Sequence, residues 1–247
     1  EISCSLVGSE MCIRDSYVTG DIHGEHSIRK LTTKRFPDQK SLCRDDYVII
    51  CGDFGLLWNE TQRGKRRDEY WLNWLNNKNF TTLFIDGNHE NFNLLESYPI
   101  EMWNGGKVHR IKENVIHLMR GQVFTLCGHT FFTMGGGTSI DKEFRVEGKS
   151  WWPQEAISLQ ELDEAIENLD KYNWNVDFVL THTVSNIIMK DDLGFPKEHS
   201  VLTDFLDVIQ LHLKYKQWYF GHFHVDVVFC DRKATGLYLS LIHISEP

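Results

Sequence analysis

Eight polar residues stand where five short apolar runs stop. The run at 17–20 leads into Asp21 and His23, and 48–52 leads into Asp53. The run at 83–87 leads into Asn88 and His89, 178–181 into His182, and 218–221 into His222 and His224. Two carboxylates, an amide and five imidazoles suit borderline divalent ions such as Mn, Fe or Zn. The thiolates of a structural zinc site are missing. The donors exceed one tetrahedral sphere and fit two ions that share Asp53, about 3.5–4 Å apart. Such a pair activates water to hydroxide and holds an in-line displacement at phosphorus. Gly52, Gly87 and Gly221 precede Asp53, Asn88 and His222, where a missing Cβ permits close approach of the backbone.

These residues can meet only if the runs are strands sharing one edge. Short apolar runs alternating with helical patterns predict an α/β architecture. Strands are expected at 17–19, 47–51, 82–85, 178–181 and 218–220, and in open α/β sheets their carboxyl ends converge on the ligand crevice. Leu202, Phe205, Leu206, Ile209 and Leu213 recur on one helical face, as do Leu159, Leu162, Ile166 and Leu169. Ser158 and Glu161 make a capping box for the latter, with Ile157 placed as a staple. A helix over 63–77 should bury Trp71, Trp74 and Leu75. A second, antiparallel-containing sheet region is expected between 107 and 134, with Gly128-His129 as a two-residue hairpin turn. Residues 135–157 read as a long loop, and loops of that length are usually functional or mobile.

The chain has 247 residues, 41% hydrophobic and 25% charged, with a formal charge of −9. Such a length suits one well-buried domain, and no repeat or low-complexity tract divides it. The acidic balance disfavours long nucleic acid, which is bound through basic patches that release counterions. The basic run Arg63, Lys65, Arg66 and Arg67 is short and reads as a solvated helix face. Six cysteines without paired spacing read as reduced core residues of a cytoplasmic protein. No apolar stretch is long enough for a membrane span, and no signal peptide is visible. Residues 1–16 and 239–247 resemble translated sequencing-adapter sequence. Leu237, Leu239 and Leu241 nevertheless alternate as a strand, so the domain is drawn at 17–241, with 1–16 and 242–247 as non-native ends. His26, His109, His117, His129, His199, His212 and His243 lie off the strand ends and read as surface or hydrogen-bonded histidines. Trp58, Trp103, Trp151 and Trp152 read as core or rim packing.

The ordered set Asp21-x-His23, Gly52-Asp53, Gly87-Asn88-His89-Glu90, His182 and Gly221-His222-x-His224 resembles the calcineurin-like metallophosphoesterase superfamily. Segments 71–90, 103–121 and 151–153 resemble a bacterial group of uncharacterised members. The resemblance implies a four-layer αββα sandwich with two central mixed sheets. It implies that Asp21, His23 and His224 hold one ion, that Asn88, His182 and His222 hold the other, and that Asp53 bridges. Manganese is the first expectation, with Fe, Zn or Ni as alternatives. Asn88 and His89 would bind the substrate phosphate, and His89 would protonate the leaving oxygen. The Asp-Arg-Gly that follows Gly-Asp in the protein Ser/Thr phosphatases is replaced here by Phe54-Gly55-Leu56 and the residues after it. The acid partner of His89 and the phosphate-gripping arginine are thereby missing, and Glu90 or Asp86 is the candidate to orient His89. The expected activity is hydrolysis of a small phosphate mono- or diester by a metal-bridging hydroxide. A phosphoprotein phosphatase, a nuclease and an inactive metal-binding scaffold are the alternatives.

Overall fold

The computed structural model describes residues 15–244. Strands β1 (Ser16–Thr19), β2 (Tyr47–Cys51) and β3 (Thr81–Ile85) run parallel, with helix α1 (Gln62–Asn76) in the second crossover. Helix α2 (Phe92–Leu95) follows, then β4 (Ile100–Trp103), β5 (Gly106–Lys112) and β6 (Val115–Leu118). β6 joins β3 in parallel and carries β5 and β4 antiparallel beside it. The second sheet contains β7 (Gln122–Leu126), β8 (His129–Met134), β9 (Phe178–Thr181) and β10 (Gln217–Phe220), then β11 (Val227–Phe229) and β12 (Ala234–Gly236). Helix α3 (Leu159–Lys171) crosses from β8 to β9, and α4 (Asn186–Asp191) and α5 (Val201–His212) cross from β9 to β10. β13 (Leu241–Ile244) returns to the first sheet beside β1. The result is a seven-stranded sheet, β13-β1-β2-β3-β6-β5-β4, and a six-stranded sheet, β11-β12-β10-β9-β8-β7.

β2 shows why the central strands are unbroken apolar runs. Val48 and Ile50 pack into a core that includes Leu72 and Leu75 of α1, while Tyr47, Ile49 and Cys51 pack into another shared with Phe131 and Leu180 of the second sheet. A third core joins Val179 and Phe220 to Ala165, Leu206 and Ile209 of the helices on the far side. Three apolar layers between four layers of elements make the αββα sandwich that the resemblance implied. The capping box of α3 is present, with Glu161 N–H donating to Ser158 Oγ and Ser158 N–H to Glu161 Oε2.

Several expectations shift. The hairpin turn is Cys127-Gly128, with Leu126 paired to His129. Both turn residues have positive φ, 51° and 83°, which a two-residue turn matching strand twist requires. The region 107–134 does not form one sheet: its first two strands extend the seven-stranded sheet and its last two open the other. The buried stripe of α1 is Gly64, Asp68, Leu72 and Leu75, and Trp71 and Trp74 are only half-buried. The apolar crossing is narrow because Asp68 occupies it, accepting N–H groups of Trp58 and Asn59. Cys51 is buried as expected, but Cys43 and Cys230 are exposed on connecting segments; Cys4 and Cys12 lie outside the described residues. Ser16 and β13 belong to segments read as foreign, yet they pair in the sheet; residues 1–14 and 245–247 lie outside the described residues.

Candidate metal centre

The carboxyl ends of β1, β2 and β3 abut those of β9 and β10, and all eight residues meet there. His23 Nε2 lies 2.9 Å from His224 Nε2, 3.7 Å from Asp21 Oδ2 and 3.6 Å from Asp53 Oδ2. Three of these residues, Asp21, His23 and His224, bring ligand atoms within 4.8 Å of one another. On the other side His182 Nε2 lies 3.0 Å from Asn88 Oδ1, 3.2 Å from His222 Nδ1 and 3.3 Å from Asp53 Oδ1. Asp53 therefore turns one carboxylate oxygen to each group of donors.

The donor set fits cations. At most one proton can lie between the facing nitrogens of His23 and His224. Asp21 Oδ2 is buried with no aligned donor, although His224 Nε2 is 3.1 Å away. His182 Nδ1 donates to Cys51 O at 2.9 Å, so the neutral ring would present its lone pair on Nε2, the atom aimed into the site; burial opposes charge on this ring, but the Asp53 and Asp21 carboxylates outweigh it and raise its pKa. Burial opposes charge on Asp21, but the neighbouring His182 and His224 and the backbone N–H that His222 donates to Oδ1 outweigh it and hold its carboxyl at about 2. Burial and the neighbouring His182 hold His222 at about 4.

Local backbone makes this crowding possible. His23, Asp53, His222 and His224 have φ of 44°, 44°, 66° and 51°. Such values are costly for residues with a Cβ and persist where surrounding structure imposes them, commonly at functional sites. A Cβ on Gly87 would stand 2.1 Å from Asp53 Oδ1, and one on Gly221 2.1 Å from Asp21 Oδ1. Beneath Asp21, the buried Lys30 ammonium donates to the carbonyls of Gly20, Asp21 and Tyr238, and burial lowers its pKa to about 8. No apolar or strand-end pattern signalled that lysine.

His89 donates its backbone N–H to Asp53 Oδ1 at 2.8 Å, and its ring centroid lies 5.6 Å from that of His23. Neither candidate orienter reaches it. Glu90 accepts the N–H groups of Phe54 and Gly55, and burial raises its pKa. Asp86 pairs with Arg120 and His117. The side chain on His89 is instead Arg145, whose Nη1 lies 2.8 Å from His89 Nδ1. A cavity of about 310 Å³ opens beside His23 and His89, walled by Leu56, Trp58 and Trp71.

The sequence matches the model of the calcineurin-like phosphoesterases over residues 16–226. The chain belongs to that family. The lariat debranching enzyme of Schizosaccharomyces pombe is 25% identical over 213 residues, covering 72% of this chain and 42% of that one. A solved Staphylococcus aureus structure, provisionally described as a 5′-nucleotidase, superposes with a TM-score of 0.52 at 13% identity. The match covers 94% of this chain and 51% of that protein, and it shows the shared fold. The chain thus spans about half the length, or less, of these relatives.

Proposed function

We propose that the protein is a metal-dependent hydrolase of a small phosphate ester. The observation that carries this is the position of Asp53, one oxygen toward His23 and the other toward His182. Asp21, His23, His224 and Asp53 Oδ2 would hold one ion; Asn88, His182, His222 and Asp53 Oδ1 would hold a second. Divalent ions there, manganese first, would supply positive charge and an activated water when bound. His89 stands on the cavity side and protonates the leaving oxygen; burial and then the Arg145 guanidinium lower its pKa against the pull of Asp53, so the proton it carries is given up readily. The 310 Å³ cavity suits a small leaving group, and the acidic chain gives no attraction to long nucleic acid. Among the described residues no helix is long and apolar enough to cross a membrane, and a cytoplasmic enzyme with one domain over 17–241 is part of this reading.

The test is a panel of phosphomonoesters, phosphodiesters and nucleotides with Mn, Zn, Ni and Mg, with and without chelator. Chelator-sensitive hydrolysis of small esters is expected. No turnover of any ester by metal-loaded protein leaves the inactive scaffold; cleavage confined to DNA or RNA makes it a nuclease.

A further inference from the structure

Arg145 lies in the loop over 135–157, far in sequence from every strand end that carries a donor, yet its guanidinium sits on His89. Asp141 fixes it by a two-pronged contact, Nε to Oδ1 and Nη2 to Oδ2, each 2.8 Å. Nη1 also donates to Ser150 O at 3.2 Å, so the fork is held from two sides within its own loop. What remains is an edge aimed at the His89 ring, with Nη1 2.8 Å from Nδ1 and Nη2 3.5 Å from Nε2. The side chain keeps 20% of its surface accessible, so it closes the site from outside without being buried.

We infer that Arg145 is a substrate-binding residue that grips a phosphoryl oxygen and selects monoesters over diesters. This rests on the hydrolase reading above. A guanidinium presents paired N–H donors in a plane that matches two phosphate oxygens, and it stays charged at any working pH. During in-line displacement the leaving and attacking oxygens are apical and three oxygens are equatorial. In a monoester all three equatorial oxygens are unsubstituted. Those that would face the ions held by the Asp, His and Asn ligands leave one directed away from them, toward the wall that Arg145 forms over His89. In a diester one equatorial oxygen carries a second substituent, which bears no charge for the guanidinium and needs room that the Arg145–Asp141 pair occupies. The oxygen of water bonds to phosphorus as the P–O bond to the leaving group breaks; His89 gives a proton to the departing oxygen, and the proton shed by the water restores His89.

The experiment compares p-nitrophenyl phosphate with bis(p-nitrophenyl) phosphate in the manganese-loaded full chain. The leaving group is identical and only the second ester differs. Wild type should favour the monoester. Arg145→Gln should lower its kcat/KM about 10–100-fold, the effect of losing a hydrogen bond to a charged group, and weaken inhibition by inorganic phosphate similarly. The diester should change by less than about threefold by the same logic, because no such bond is lost. Arg145→Lys should recover part of the monoester rate, and Lys149→Gln, on the same loop, should change neither ester. Equal losses on both esters, no loss on the monoester, or a wild-type preference for the diester overturns the inference. Failure of wild type to cleave either ester refutes the hydrolase reading on which it rests.

Discussion

The strand-end donors and the loop over 135–157 meet at Asn88 and His89, and different forces hold them. Asp21 and His182 are fully buried, and their backbone continues into parallel strands packed on both faces. The loop leaves Ile140 and Phe144 more than nine-tenths exposed and has no apolar layer of its own at that point. It is fixed by a few polar contacts and, further on, by Trp152, buried against Trp58. Arg120 ties its far end by donating to the carbonyls of Gln154 and Ala156 while pairing with Asp86. Glu155 accepts from Ser139 Oγ, which accepts from Asn88 Nδ2, so the Asn88 amide keeps its oxygen toward His182. The donor set is built on strand ends packed on both faces, and the arginine proposed to meet the substrate rides on an irregular segment that leaves large side chains in solvent.

If that contrast is right, variants of the strand ends should abolish function and variants of the loop should modulate it. Asp53→Asn should reduce activity most, by roughly 10³-fold or more, as removal of one key electrostatic group does elsewhere. Metal analysis should show both ions weakened; full retention of either one breaks the bridging assignment. His89→Ala should lower turnover of an alkyl phosphate by roughly 10²–10⁴-fold, the worth of a positioned acid, and that of nitrophenyl phosphate far less. Equal losses on the two substrates, or loss of metal, would mean that His89 is not the acid. Ser139→Ala and Glu155→Gln remove the support of Asn88 and should weaken metal affinity about 10–100-fold, read by calorimetric titration. If Asn88 is held by its strand alone, titration will find affinity unchanged.

The smallest effect concerns the tie between the two regions. Burial would raise the Asp86 carboxyl, but Arg120 and His117 outweigh it and hold it well below the carboxylate range. A depressed folded pKa contributes stability that is present above the unfolded value, about 3.9, and is lost as pH falls below it toward the folded value. Urea midpoints of wild type should therefore fall on acidification below about pH 4. The Asp86→Asn, Arg120→Met double variant should lose part of that slope, the paired change avoiding an uncompensated buried arginine. An identical slope in both proteins would show that other carboxylates govern acid unfolding.

Most of the donor floor was legible because its rules are local. A continuous apolar run followed by glycine and a polar residue reports a strand buried on both faces and a turn at its end, as at Val48–Asp53; at Leu83–Asn88 the same pattern holds with Asp86 set before the glycine. The loop's length was legible and its content was not. Arg145 reaches His89 across 56 residues of sequence and Glu155 reaches Ser139 across 16, through contacts that no period encodes. Lys30 escaped for the same reason, because a lone lysine in a short 3₁₀ turn carries no sign that it will be buried under Asp21. The turn at Cys127-Gly128 slipped by one residue because glycine serves at either central position and only backbone φ separates the two.

The donors come from both sheets: Asp21, His23, Asp53 and Asn88 from the seven-stranded sheet, His182, His222 and His224 from the six-stranded one. His23 and His224 are 201 residues apart in the chain and 2.9 Å apart in space. An ion held between them acts as a reversible cross-link that closes nearly the whole chain into a loop. Because the unfolded chain lacks the preformed site, such an ion favours the folded form by mass action, about 2.7 kcal/mol at a free concentration one hundred times its Kd. Metal supply would then set more than turnover. It would set how firmly the two halves of the sandwich stay clasped, and so how long the protein survives where ions are scarce.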